Sequence, residues 1–152
     1  MTLRAEPARP SDLPGALDLL RRTDLPDREV AERFGHYFVV REDDGRVVGL
    51  AGLEVHGADA LLRSVAVDPP YRDQGLGGSL VGAALERARR LKLRAVYLLT
   101  TTAREYFLGK GFADCSREEA PEAIRGSWEF RTGCPSTAAL MRQDLTSARS
   151  ES

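Results

Sequence analysis

LLRSVAVDPPYRDQGLGGSL, residues 61–80, is the stretch whose reading decides the fold. It opens as an apolar strand pattern that ends at Val67, turns at Pro69-Pro70, and enters a helix through a glycine-rich loop. Gly75, Gly77 and Gly78 carry no side chains, so main-chain N–H groups there can approach an anion closely. The first N–H groups of the following helix lack internal partners, and the helix dipole adds positive potential. Successive amides from Gln74 to Ser79 therefore make a nest suited to a diphosphate.

Two better-known phosphate loops do not fit. A P-loop needs Gly-x-x-x-x-Gly-Lys-Ser/Thr, and the chain has no such run. A dinucleotide-binding loop needs Gly-x-Gly-x-x-Gly directly after a strand. Here Leu80 stands where the third glycine belongs, and seven residues separate Val67 from Gly75. The remaining pattern is Arg/Gln-x-x-Gly-x-Gly/Ala, matched by Arg72-Asp73-Gln74-Gly75-Leu76-Gly77.

Outward from this stretch, elements alternate between strand and helix, which indicates an α/β or α+β layered domain. Downstream, Leu76, Leu80, Val81, Leu85 and Ala88 share one face of a helix from Gly75 to about Leu91. Residues 95–99 read as a buried strand, 103–108 as a short helix, and Phe112 as the start of another strand. Residues 121–130 read as helical or irregular, and 138–142 as a last strand. Upstream, residues 3–5 read as a first strand, and Ser11 as the cap of a helix reaching Arg22. Residues 27–34 read as a short helix, followed by a hairpin of 37–41 and 47–55 and by a strand at 60–67.

The 152 residues are the size of one domain, with 42% hydrophobic and 30% charged side chains. A net charge of −1, from 22 basic and 23 acidic residues, gives no reason to expect nucleic acid or an anionic membrane as partner. Cys115 and Cys134 form no disulfide framework, and neither they nor His36 and His56 show metal-ligand spacing. No metal is expected. Without a signal-peptide pattern or a membrane-length apolar run, the expected location is the cytoplasm. Residues 1–145 read as one domain, and 146–152 as a frayed, disordered tail.

With these markers the sequence resembles the GCN5-related N-acetyltransferase (GNAT) family over nearly its whole length. The markers are the strand at 62–67, the loop from Arg72 to Gly77, and the late Lys110-Gly111-Phe112. The runs LLRSVAV, YLLTTTA and EFRTGCPSTAALM also look like small acetyltransferases of arsenic-resistance operons, and like the acetyltransferase domain of N-acetylglutamate synthases. The resemblance implies a single mixed, mostly antiparallel sheet with a splayed central strand pair, 62–67 and 96–99, flanked by helices. It implies acetyl-CoA as co-substrate and the amine of a small, amino-acid-like or arsenical molecule as acceptor.

The same resemblance places the pantetheine arm along the main chain of Val65, Ala66 and Val67, and the diphosphate on Arg72, Asp73, Gln74, Gly75, Leu76, Gly77, Gly78 and Ser79. Arg72 either adds charge to the loop or only braces the turn. An N–H around Ala66 becomes the oxyanion donor, and Glu54 the candidate general base. Thr101 and Phe107 are further cofactor candidates. Phe107 occupies the position where the family commonly carries an acidic tyrosine, and Tyr106 is one helical step away. Arg63, mid-strand, is either a clamp on a substrate carboxylate or an ion-pair partner of Glu54. Thr100 either caps a helix or touches substrate. A homodimer is expected from edge-strand pairing common in such domains. Two other readings stay open: a non-catalytic acetyl-CoA-binding module, and a protein acetyltransferase, which Arg63 disfavours.

Overall fold

The computed structural model describes residues 3–133 and 137–145. Its strands are β1 (Glu6–Pro7), β2 (Tyr37–Arg41), β3 (Val47–His56), β4 (Asp59–Val67), β5 (Ala95–Thr100), β6 (Ala113–Asp114) and β7 (Ala139–Asp144). The α-helices are α1 (Leu13–Arg22), α2 (Leu76–Arg90), α3 (Arg104–Leu108) and α4 (Glu122–Arg125). The strands hydrogen-bond in the order β1-β2-β3-β4-β5-β7-β6. β4 and β5 run parallel, in the register Asp59–Ala95, Ala60–Val96, Leu61–Tyr97. β1–β2, β2–β3, β5–β7 and β6–β7 are antiparallel. Parallel partners need a crossover, and α2 supplies it. The fold is thus α/β with a mixed, mostly antiparallel sheet.

The chain forms two compact units: Met1–Glu54 with Leu62–Arg87, and Val55–Leu61 with Ala88–Ser152. In the first, α1 turns Ala16, Leu19 and Leu20 inward, at the spacing of one helical face. They pack with Val30, Phe34, Tyr37, Val39, Val47, Leu50 and Ala66. In the second, Leu61, Ala95, Tyr97 and Leu99 pack with Ala120, Ile124, Ala138 and Leu140. The residues expected on the apolar face of α2 are all buried.

Three local expectations are corrected. The first strand is Glu6–Pro7, not residues 3–5; there Glu6 faces Val39 on β2. Ser11 caps nothing, because it lies inside a 3-10 turn, Pro10–Asp12. Asp12 takes the position before α1 and binds Arg41 Nε at 2.9 Å and the Arg9 N–H at 2.7 Å. Burial pulls the Asp12 carboxyl up, but Arg41 and the Arg9 N–H outweigh it, so the pKa lies below the usual aspartate value. Residues 28–33 are turns and Phe34 begins a 3-10 turn, Phe34–His36, so no α-helix forms there. Glu29 sits in the left-handed region, φ 65°, which a right-handed helix cannot contain. Cys134 and the tail at 146–152 lie outside the described residues.

Candidate functional site

The glycine-rich loop lies between β4 and α2, as its sequence predicts. Asp73 (φ 65°) and Gly75 (φ 81°) are left-handed and Gln74 between them is not, an alternation that turns successive N–H groups to one side. Among the described residues, the N–H groups of Gln74, Gly75, Leu76, Gly77 and Gly78 have no main-chain acceptor. Ser79 differs from expectation: its N–H already donates to the Gly75 carbonyl at 3.1 Å. A Cβ on Gly75 would meet no atom within 4 Å, so glycine is required there by its backbone conformation, not by crowding. Open donors and the start of a 15-residue helix fit a diphosphate.

Arg72 takes the bracing role. Its Nε donates to the Val67 carbonyl at 2.8 Å, tying the loop back to the end of β4. Val65 and Val67 are half-buried at that end, and Ala66 is buried against the first core.

Glu54 is not a solvated carboxylate at a strand end. It is 2% exposed, and Arg63 Nη1 donates to its Oε2 at 2.9 Å. Arg33 Nε lies 3.5 Å from the same oxygen and donates to Glu29 Oε1 at 3.3 Å. Glu29, Arg33, Glu54 and Arg63 therefore form a row of alternating charge. The ion-pair role of Arg63 is thus realised. Taking charges out of water is costly, and a row of this kind persists only when each charge faces its opposite. Arg33 was not a sequence candidate. Its spacing to Glu29 suggests only a local pair, and nothing in the sequence links it to residue 54.

Next to Arg63 the strand departs from simple alternation. Ser64 is left-handed, φ 62°, and Leu61, Leu62 and Arg63 are all buried. Such a conformation in a residue with a Cβ costs on the order of 1–2 kcal/mol and concentrates at functional sites. Ser64 Oγ shares a 3.1 Å hydrogen bond with Tyr37 Oη. Tyr37 is 1% exposed, and its ring lies directly over Gly52, where any Cβ would collide with it. Phe34 stacks on the other ring, centroid to centroid 5.3 Å.

The remaining candidates belong to the second unit. Thr100 Oγ1 accepts the Ala103 N–H at 2.9 Å, which closes the turn leading into α3; it does not cap the helix, whose N-cap, Ala103, offers no side-chain bond. Thr101 is exposed. Phe107 is buried, edge-on to Phe112 at 5.7 Å. Tyr106 points elsewhere, 41% exposed, with Lys110 Nζ 5.4 Å from its ring centre. Desolvation raises its phenol pKa. Burial, ahead of the opposing pull of Arg142, raises the thiol of Cys115. Among the described residues no three His, Cys, Asp or Glu side chains gather as a metal site, and no helix is long and apolar enough to cross a membrane.

Residues 4–109 match the model of the Acetyltransferase (GNAT) family. An amino-acid acetyltransferase of Aeromonas salmonicida (strain A449) is 32% identical over 126 residues, covering 78% of this chain and 28% of that protein. One of Actinobacillus pleuropneumoniae serotype 5b (strain L20) is 28% identical over 128 residues, covering 79% of this chain and 29% of that protein. The chain spans less than a third of the length of these curated relatives. N-acetylglutamate synthase from Neisseria gonorrhoeae, complexed with coenzyme A and N-acetyl-glutamate, superposes with a TM-score of 0.82 at 22% identity, over 95% of this chain and 35% of that one. Rv2747 from Mycobacterium tuberculosis, in complex with CoA and NLQ, gives 0.80 at 26% identity, over 93% and 98%.

Proposed function

Since the chain belongs to the acetyltransferase (GNAT) family, we propose that it is an N-acetyltransferase moving the acetyl group of acetyl-CoA to the amine of a small, amino-acid-like molecule. The observation that carries this is the set of N–H groups from Gln74 to Gly78 that have no main-chain acceptor among the described residues. In this reading the thioester supplies the acetyl group, and the chain's own groups do the rest. The cradle holds the two linked phosphates. The main chain of Val65, Ala66 and Val67 lies along the pantetheine arm. An N–H at Ala66 donates to the carbonyl oxygen as it gains charge. Glu54, directly or through water, takes the proton that the ammonium must lose before it attacks. No side chain has to protonate the leaving thiolate, since a free thiol has a pKa of about 8.5.

Arg63 orients an acceptor carboxylate in this reading, with Glu54 holding its guanidinium in place. Arg63→Lys keeps a positive charge beside Glu54 but loses the planar fork. The acceptor KM then rises about tenfold while the acetyl-CoA KM holds; equal KM values in both proteins would remove Arg63 from substrate binding. The curated relatives are amino-acid acetyltransferases, and a buried arginine suits an anionic acceptor better than a polyamine or aminoglycoside.

One observation favours a second reading, a non-catalytic acetyl-CoA sensor: Phe107 stands where an acidic tyrosine is expected. A thiol-release assay with acetyl-CoA separates the two. Its panel holds glutamate and other amino acids, amino-acid arsenicals and phosphinates, polyamines and aminoglycosides. Thiol release that depends on an amino-acid-like amine supports the enzyme. Binding of acetyl-CoA without release from any amine supports the sensor.

A further inference from the structure

A loop that reserves its N–H groups for a ligand cannot use them to hold itself still. Its rigidity has to come from the residues that lead into it. Between β4 and α2 those residues are Asp68, the 3-10 turn Pro69–Tyr71, and Arg72.

Asp68 is 5% exposed and bonded on every side. Its N–H donates to the Val48 carbonyl on β3 at 2.9 Å, and its carbonyl accepts the Tyr71 N–H at 2.8 Å. Its Oδ1 meets Arg22 Nη1, at the end of α1, at 2.8 Å. Its Oδ2 takes Arg46 Nη1, on the far side of the β2–β3 turn, at 3.5 Å. Tyr71 continues the same connection: its Oη donates to Glu42 in that turn and accepts Arg46 Nη2 at 3.2 Å. The Arg46 guanidinium also lies 5.9 Å from the centre of the Tyr71 ring. After Arg72, whose N–H donates to the Pro69 carbonyl at 3.2 Å, the main-chain N–H bonds cease until Ser79.

We propose that Asp68 and Tyr71 are positioning residues for the coenzyme: a strut from α1 and the β2–β3 hairpin that fixes the diphosphate cradle before the ligand arrives. The proposal rests on the diphosphate reading above and adds what holds that cradle in place. Asp68 is a buried carboxylate answered by two guanidiniums from different elements, so it differs from an ordinary surface ion pair. Holding the loop in advance lowers the ordering cost that binding would otherwise carry.

The test is calorimetric titration of the whole protein with CoA, beside steady-state turnover with acetyl-CoA and with acetyl-pantetheine, which lacks the diphosphate. Asp68→Asn is expected to weaken CoA about tenfold, and Tyr71→Phe about threefold. The acetyl-CoA KM rises in step, kcat holds within twofold, and turnover with acetyl-pantetheine does not change. Arg22→Lys retains the affinity that Arg22→Ala loses. A parallel loss with both thioesters, or CoA affinities equal to wild type, overturns the strut. Should Asp68→Asn fail to fold, Tyr71→Phe and Glu42→Gln, in half-buried side chains, carry the same comparison. Wild-type protein that gives no heat with CoA removes the diphosphate reading itself, whereas a binding wild type with unaffected variants removes only the strut.

Discussion

The glycine-rich loop and the charged row Glu29–Arg33–Glu54–Arg63 belong to one unit and treat polar groups in opposite ways. The row is charge-paired: four charges of alternating sign, each against its opposite, two of them almost fully out of water, with Arg63 bonded to Glu54 through Nη1. The loop is open: the five successive N–H groups from Gln74 to Gly78 have no main-chain acceptor among the described residues. A folded chain normally satisfies its buried main-chain groups. In the proposed reading a ligand completes the hydrogen bonding of those half-exposed donors, while the paired row holds the geometry of its own side chains.

That contrast is broken most severely at Glu54. Glu54→Ala leaves Arg63 buried without its carboxylate and is expected to cost about 3–5 kcal/mol of stability in urea unfolding. A cost under ~1 kcal/mol would mean the row is not paired in solution. Gly75→Asp strikes the open side instead. A negative charge beside two phosphates weakens CoA about a hundredfold in calorimetry. Without ligand, the variant's unfolding free energy falls by the left-handed backbone penalty, about 1–2 kcal/mol, and a drop well beyond that would show the loop to be structural.

A smaller effect comes from His36, whose Nδ1 accepts from Arg87 Nη1 at 3.0 Å. Burial, then the Arg87 charge, lowers the His36 pKa below 6.5. Above pH 6.5 both folded and unfolded chains hold it neutral, and its full contribution is present. As the pH falls below 6.5, the unfolded chain takes the proton first, so stability declines until the folded pKa is passed. His36→Gln should flatten that part of a pH series of urea midpoints; an unaltered slope would assign it to other groups. The smallest effect is expected at Tyr106. Tyr106→Phe keeps turnover within about threefold, because thiolate departure needs no dedicated acid. A loss of two orders of magnitude with CoA affinity intact would bring the second unit into the proton transfers.

Much of this was legible because it is periodic or local. Composition around a turn signal gave β2 and β3, one helical face gave α2, and the glycine spacing pointed to the loop between β4 and α2. What could not be read depends on contacts between distant residues. Arg33 meets Glu54 across 21 positions, and Asp68 is held from Arg22 and Arg46, none of which carries a motif. The segment 27–34 reads as a helix because glutamate and arginine favour one, and nothing in the sequence marks the left-handed Glu29 that breaks it. Ser64 broke the alternation of β4 for the same reason: serine gives no sign of a positive φ.

Gly52 and Tyr37 face each other across β2 and β3, and one ring fills the room that one missing methyl group leaves. Position 52 cannot enlarge while the ring is there. Position 37 cannot shrink without opening a hole and releasing Ser64. Neither site has an acceptable first step on its own, so descendants of this sequence inherit the two as a single unit of heredity.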